Sequence, residues 1–316
     1  MGKRMNVIDK ILEKNKVLII DGATGTWLQE KGYDVSDSLW SAKFLMENPS
    51  AISQVHKDYL EAGSDCITTL SYQATFEGFK ERGLNEEESS SLLQSSVTLA
   101  IKERDLFWSK NKNNTDKAKP LVAASVGPYG AYLADGSEFR GDYSLDKEEL
   151  ITFHRKRMKT LLDAKPDLLA CETVPCLLEA KAYVELLEEF PTANAWISFS
   201  AKDDKHINSG ESIKECAKYL DSKDQVLAIG INCTAPAHIK SLINEIKEVT
   251  KKPIIVYPNG GSVYDSVSKT WSEDSTSNSY GKMAATWKDD GASIIGGCCQ
   301  TTPKDIKEIF KYLKQN

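Results

Sequence analysis

Histidine is scarce in this chain: there are four in 316 residues, and none has a spacing that suits a metal or a serine-activating relay. His56, His154 and His238 fall in segments that read as surface helices, and His206 in the polar stretch KDDKHINSGE, so solvated or capping roles are expected. Positive charge is not in excess either. Lys+Arg number 40 against Asp+Glu 46, a formal net charge of −6, which leaves no basic stripe for phosphates and argues against a nucleic-acid partner. No apolar run approaches the roughly 18 residues needed to cross a bilayer. The start MGKRMNVIDKILEKN lacks the apolar centre of a secretion signal, so a cytoplasmic protein away from membranes is expected.

Zinc-finger spacings are missing as well, although cysteine is not. The seven cysteines (66, 171, 176, 216, 233, 298 and 299) are an odd number without an export signal, so free thiols or metal ligands are expected rather than disulfides. Any metal site must then be assembled from distant parts of the chain. There is no internal repeat and no domain linker. The stretch KNKNNTDKAK (110–119) reads as a solvated loop, and residues 1–316 read as one domain.

What is present is a recurring apolar strand. VLIID (17–21), DCITTL (65–70), LVAASVG (121–127), DLLACE (167–172), AWISFS (195–200), LAIGINC (227–233), PIIVYPN (253–259) and ASIIGG (292–297) are near-continuous apolar runs, as parallel strands buried on both faces require. Helical segments separate them. Asn48, Pro49 and Gly63 bracket one helix, with Ile52, Val55 and Tyr59 on a single face. Residues 235–249 and 301–313 carry similar stripes, and 86–108, 147–164, 176–190 and 211–220 read more loosely as helix. Eight strand–helix units predict an α/β fold, a (β/α)₈ TIM-type barrel. An open doubly wound sheet is the alternative, but DGATGT (21–26) lacks its G-x-G-x-x-G fingerprint.

A barrel carries its chemistry at the C-terminal ends of its strands. By that rule Asp21, Gln73, Glu172, Cys233, Asn259 and the pair Cys298-Cys299 all fall on one rim. Three thiolates suit Zn²⁺, and three protein ligands with one open position is the catalytic arrangement. Glycine at 296 and 297 would provide the backbone freedom to turn two successive side chains toward one point. The competing reading is three small buried hydrophobes, which free cysteine often is. Cys66, Cys171 and Cys216 are expected to be core, and nothing specifies a role for Cys176. Two rim carboxylates suggest a cationic substrate such as an amino acid. The aromatics Trp40, Tyr129, Tyr132, Phe139, Tyr143 and Trp271 either pack or surround a cationic ligand.

The motifs GINCTAP (230–236) and GGCCQTTP (296–303), with DGATGT, SYQAT (71–75) and ACET (170–173), resemble the homocysteine S-methyltransferase family from about residue 15 onward. VGPYGAYLADGSEFRGDY (126–143), DSLWSAK (37–43) and YDSVSKTW (264–271) look most like the S-methylmethionine-using branch, from which NGGSVYD (259–265) departs. The resemblance implies zinc on Cys233, Cys298 and Cys299, completed by the homocysteine sulfur. It also implies Asp21 and Glu172 on the homocysteine ammonium, and the amides around Gly22–Thr24 near its carboxylate. Trp40 matches a donor-contacting tryptophan, and Gln73 stands where betaine-using relatives have a tyrosine close to the metal. The implied reaction is methyl transfer from S-methylmethionine, or from S-adenosylmethionine, to homocysteine. A betaine-type donor and a non-catalytic zinc or thiol protein are the alternatives.

Overall fold

A computed structural model describes residues 5–35, 43–112, 118–260, 264–265, 270–271 and 279–315, with only the backbone described at 264–265 and 270–271. The strands in chain order are β1 (Leu18–Ile19), β2 (Cys66–Thr68), β3 (Leu121–Val126), β4 (Leu168–Val174), β5 (Ala195–Phe199), β6 (Val226–Asn232), β7 (Ile254–Tyr257), β8 (Tyr264–Asp265), β9 (Thr270–Trp271) and β10 (Ile294–Ile295). Strands β8 and β9 pair only with each other. The other eight form one parallel sheet in the order β1-β10-β7-β6-β5-β4-β3-β2, and the bridge between Ile20 and Cys66 closes it into a barrel. The expected (β/α)₈ architecture is the one observed.

Helices cover the outside with the expected punctuation. The Asn48 side chain caps Pro49–Ala62 by accepting from the Ala51 N–H, and Gly63 ends that helix at φ 116. Thr302 and Asp305 form a capping box at the start of Pro303–Lys314. The helix Val7–Asn15 has no counterpart in the sequence-based expectation. Its Ile8 and Ile11 pack with Leu18, Leu121, Leu168, Leu227 and Ile294, which begin five of the strands. It is therefore a plug beneath the barrel, which shields the lower interior from water and so pushes the chemistry to the other end.

Two histidines depart from expectation. His56 and His154 are buried, not solvated. Each lies four residues past an apolar residue of its helix's inner stripe, Ile52 and Leu150, so the shell packing takes it inward. His154 Nε2 meets Glu179 Oε1 at 2.8 Å. Neither ring nitrogen of His56 has a partner among the described residues, and burial lowers its pKa to about 4. Since the unfolded value is near 6.5, the stability tied to neutral His56 is complete above pH 6.5 and is lost as pH falls toward 4. We expect acid to cost the fold up to about 3 kcal/mol through this one group. A His56→Phe variant whose melting temperature falls just as steeply between pH 6.5 and 4.5 would contradict that.

Candidate active site

The interior changes character along its axis. Side chains alternate along a strand, so once Ala123, Ala170, Trp196, Ala228 and Ile255 point inward, Ser125, Glu172, Ser198 and Tyr257 do too, one layer higher, and Asn232 does so beyond Gly230. The lower layer is apolar and the upper one polar. Trp196 Nε1 donates to the Tyr257 hydroxyl at 3.1 Å, and that hydroxyl lies 2.5 Å from Ser198 Oγ. Ser198 Oγ donates in turn to Asn232 Oδ1 at 2.9 Å.

Asn232 also shapes the backbone. Its Oδ1 accepts from the Thr173 N–H at 2.7 Å, and its Nδ2 donates to Thr173 Oγ1 at 2.7 Å. Thr173 sits at φ 59, and the register between β4 and β5 slips between Cys171 and Val174. The bulge lengthens β4 two residues beyond the expected 167–172 and fixes the strand just after Glu172. Cys171 faces the outer core, opposite Glu172, as alternation requires.

At the rim, the Sγ atoms of Cys233, Cys298 and Cys299 lie within 4.8 Å of one another, with 3.8 Å between Cys233 and Cys299. Cys233 is buried, whereas Cys298 and Cys299 are half-buried and face the opening. Two conformations bring them together. Cys233 leaves β6 at φ 49, and Cys298–Thr301 is a tight turn, with the Thr301 N–H donating to the Cys298 carbonyl at 3.0 Å and Gln300 at φ 67. Hydrogen bonds hold this turn from both sides. The Cys298 N–H donates to the Pro258 carbonyl at 2.8 Å, the Gly260 N–H to the Cys299 carbonyl at 2.9 Å, and the Gln300 N–H to Thr26 Oγ1 at 3.0 Å.

Gly296 and Gly297 play a different part from the one expected. Neither has a positive φ; what they provide is room. A Cβ on Gly296 would stand 2.2 Å from Ile20 Cγ1 and 2.8 Å from the Asp21 carbonyl oxygen, and one on Gly297 would stand 2.2 Å from Thr301 Oγ1. Close approach of backbones, not freedom of dihedrals, is why glycine is needed. Gly296→Ala should cost about 1–3 kcal/mol of stability and displace Asp21 within the mouth. A fully stable Ala variant with unaltered kinetics would refute the packing argument.

The two carboxylates lie inside the mouth. Asp21 is buried, and its carboxylate accepts from the Thr68 N–H at 2.8 Å and Thr68 Oγ1 at 3.1 Å. Burial drives its pKa well above the usual carboxylate range, the Thr68 amide pulls it back, and the charge of Glu172 pushes it up again. Glu172 accepts from Ser125 Oγ. Burial raises its pKa to about 7, against the Ser125 bond. Among the thiols, the bonds with Cys298 and then Cys299 push Cys233 up, whereas bonds from Cys233 and Cys298 draw Cys299 well down. Against the lowering bond with Cys233, Cys298 is raised as well, by its bond with Cys299 and by burial, so of the three thiols Cys299 is the one drawn toward the charged form.

The remaining expected residues are distributed as follows. The Ala23 N–H, between Gly22 and Thr24, donates to Thr301 Oγ1 at 3.3 Å, and Thr24 opens the helix Thr24–Glu30. Gln73 Nε2 donates to the Ala131 carbonyl at 3.1 Å, while its Oε1 is buried without a partner among the described residues. Trp40 lies outside the described residues, and of Trp271 only the backbone is described. Tyr129, Tyr132 and Tyr143 form no cage: Tyr129 stacks on Tyr132, Tyr143 and Phe153, and the Tyr143 hydroxyl donates to buried Glu179. Besides Tyr257, Tyr72 lies next to the site; its ring packs on Gly127 and its phenol is raised by burial and then by the charges of Glu138 and Cys233. The strand-end rule already picks out Tyr72 and Asn232, and strand alternation was sufficient to find Ser125, Ser198 and Tyr257; nothing local marked Glu138.

Residues 18–313 match the family model for homocysteine S-methyltransferase. The chain belongs to the homocysteine S-methyltransferase family. It is 56% identical over 310 residues to a homocysteine S-methyltransferase of Bacillus subtilis, covering 98% of each chain. It is 46% identical over 322 residues to a selenocysteine methyltransferase of Astragalus bisulcatus, covering 97% of this chain and 95% of that one. The metallated crystal structure of an Escherichia coli homocysteine methyltransferase superposes with a TM-score of 0.87 at 43% identity, covering 96% of this chain and 99% of that one. The apo form of that enzyme gives 0.78. This homocysteine S-methyltransferase is thus a methyltransferase with a thiol cluster that could bind a metal, and none of its described helices is long and apolar enough to cross a membrane.

Proposed function

We propose that the protein transfers a methyl group from a sulfonium donor, with S-methylmethionine as the preferred one, to homocysteine at a zinc site made by Cys233, Cys298 and Cys299. The observation that carries this reading is three sulfurs within 4.8 Å of one another, in electrostatic reach of two buried carboxylates, Cys298 acting on Glu172 and Glu172 on Asp21. The donor set fits the metal. Sulfurs at 2.3 Å from a tetrahedral zinc stand about 3.8 Å apart, and Cys233 and Cys299 are 3.8 Å apart without it.

Held by Cys233, Cys298 and Cys299, zinc would supply the positive charge that favours the thiolate of an incoming thiol, which otherwise ionises near pH 8.5 and is mostly neutral at pH 7. The protein does the rest. Asp21 and Glu172 take the homocysteine ammonium, and the Gly22 and Thr24 amides lie toward its carboxylate, Ala23 being bonded to Thr301. Thr68 and Ser125 hold the two carboxylates in place. The homocysteine sulfur then attacks the methyl carbon in line. A new S–C bond forms as the sulfonium S–C bond breaks, and the electron pair leaves with a neutral thioether. No general acid is needed, so alignment and exclusion of water are the protein's main contributions. An anionic rim favours the cationic donor over its neutral product. Free cysteines throughout the described residues fit a cytoplasmic setting.

The test is methionine formation from homocysteine with S-methylmethionine, S-adenosylmethionine or betaine, each with and without a chelator. Turnover is expected with the sulfonium donors, lost on chelation and restored by zinc. Betaine as the best donor would overturn the sulfonium assignment, and chelator-resistant turnover would overturn the zinc.

A further inference from the structure

Glu138 lies in the turn Ser137–Phe139 of the loop after β3, and its Oε2 is buried without a hydrogen-bond partner among the described residues. The loop sits over the strand ends. Ser200 Oγ, just past β5, donates to the Glu138 carbonyl at 3.5 Å, and a Cβ on Gly130 would stand 2.4 Å from the Glu138 nitrogen. The side chain is within electrostatic range of the thiol cluster, since its charge acts on both Tyr72 and Cys299. The loop's Arg140 donates its hydrogen bonds elsewhere, to Ser137 Oγ at 3.0 Å, the Asp135 carbonyl at 3.3 Å and Asp142 Oδ1 at 3.2 Å, and reaches Glu138 only through its charge.

Burial raises the Glu138 carboxyl's pKa, so an oxygen left unpaired there carries its charge at a cost that an arriving cation offsets. Asp21 and Glu172, just past β1 and on β4, already serve the homocysteine ammonium in the reading above. Gln73 Oε1, held by the bond from Gln73 Nε2 to Ala131 of the same loop, is a second unsatisfied atom, and it too is an acceptor. Two empty acceptors call for N–H donors. A sulfonium has none, but an amino-acid donor carries an ammonium as well.

We infer that Glu138 receives the α-ammonium of the methyl donor and makes the donor site selective for amino-acid sulfoniums. The inference rests on the sulfonium reading of the reaction. It predicts that Glu138→Gln raises KM for S-methylmethionine roughly 10- to 100-fold, with kcat, homocysteine KM and zinc content unchanged. The deaminated analogue 4-(dimethylsulfonio)butanoate should serve wild type and variant equally, and wild type should use it as poorly as the variant uses S-methylmethionine. The wild-type comparison needs no variant to fold. An unchanged KM for S-methylmethionine, an equal loss with both donors, or wild-type indifference to the amino group would each sink the assignment. If wild type turns over neither sulfonium, the donor reading falls and takes this inference with it. If wild type turns over S-methylmethionine and the variant is unaffected, only the role of Glu138 fails.

Discussion

Cys299→Ala should keep the barrel and lose methyl transfer by about three orders of magnitude or more, with bound zinc falling in step. Two effects multiply. Without the metal, only a few per cent of a thiol near pKa 8.5 is ionised at pH 7. The remaining thiolate also loses its fixed position in line with the donor, and alignment is worth several powers of ten. Little of the fold is at stake, because Cys299 is half-buried and its turn is held by backbone bonds from Gly260 and to Thr26. Cys233→Ala and Cys298→Ala should behave alike, since two sulfurs cannot complete the set. Cys216→Ala, a buried shell thiol, should retain both zinc and turnover. Zinc content and initial rate on the same preparations decide it, and a metal-free Ala variant with wild-type turnover would end the cluster's catalytic role.

Glu172→Gln should raise KM for homocysteine roughly 30- to 1000-fold, matching the 2–4 kcal/mol typical of removing one partner from a buried charge pair. The pH dependence identifies the cause. With a pKa of about 7 from burial, Glu172 is largely protonated at pH 6 and largely charged at pH 8, while the substrate ammonium stays charged throughout. Homocysteine affinity should therefore rise with pH through 7 in wild type, and this step should be missing from the Gln variant. The arriving ammonium also relieves the repulsion that Glu172 imposes on Asp21. An unaltered KM, or an identical pH step in the variant, would remove Glu172 from the substrate site.

Much of this was legible because buried parallel strands must be apolar along their whole length. Eight such runs with helices between them leave few alternatives to a barrel, and once the barrel is drawn its strand ends name Asp21, Glu172, Cys233, Cys298 and Cys299. The features not legible depend on contacts between segments far apart in sequence. The helix Val7–Asn15 has no special pattern, and its role as a plug follows only from the strand starts above it. The bulge at Thr173 depends on Asn232, 59 residues away. Gly296 and Gly297 invited a conformational reading, but what they meet is Ile20, Asp21 and Thr301. The loop aromatics read equally well as cage or packing, and only the position of Phe153 decides for packing.

By itself, the sequence determined the architecture, the family and the identity of the metal-competent sulfurs, because periodicity and motif are local properties that survive without coordinates. Tertiary structure decided the spacing of those sulfurs, the depth of the carboxylates and the empty acceptor at Glu138. Barrel closure brings the ends of β1, β4, β6 and β10 to one mouth, and burial there, not residue type, sets which charges await a partner.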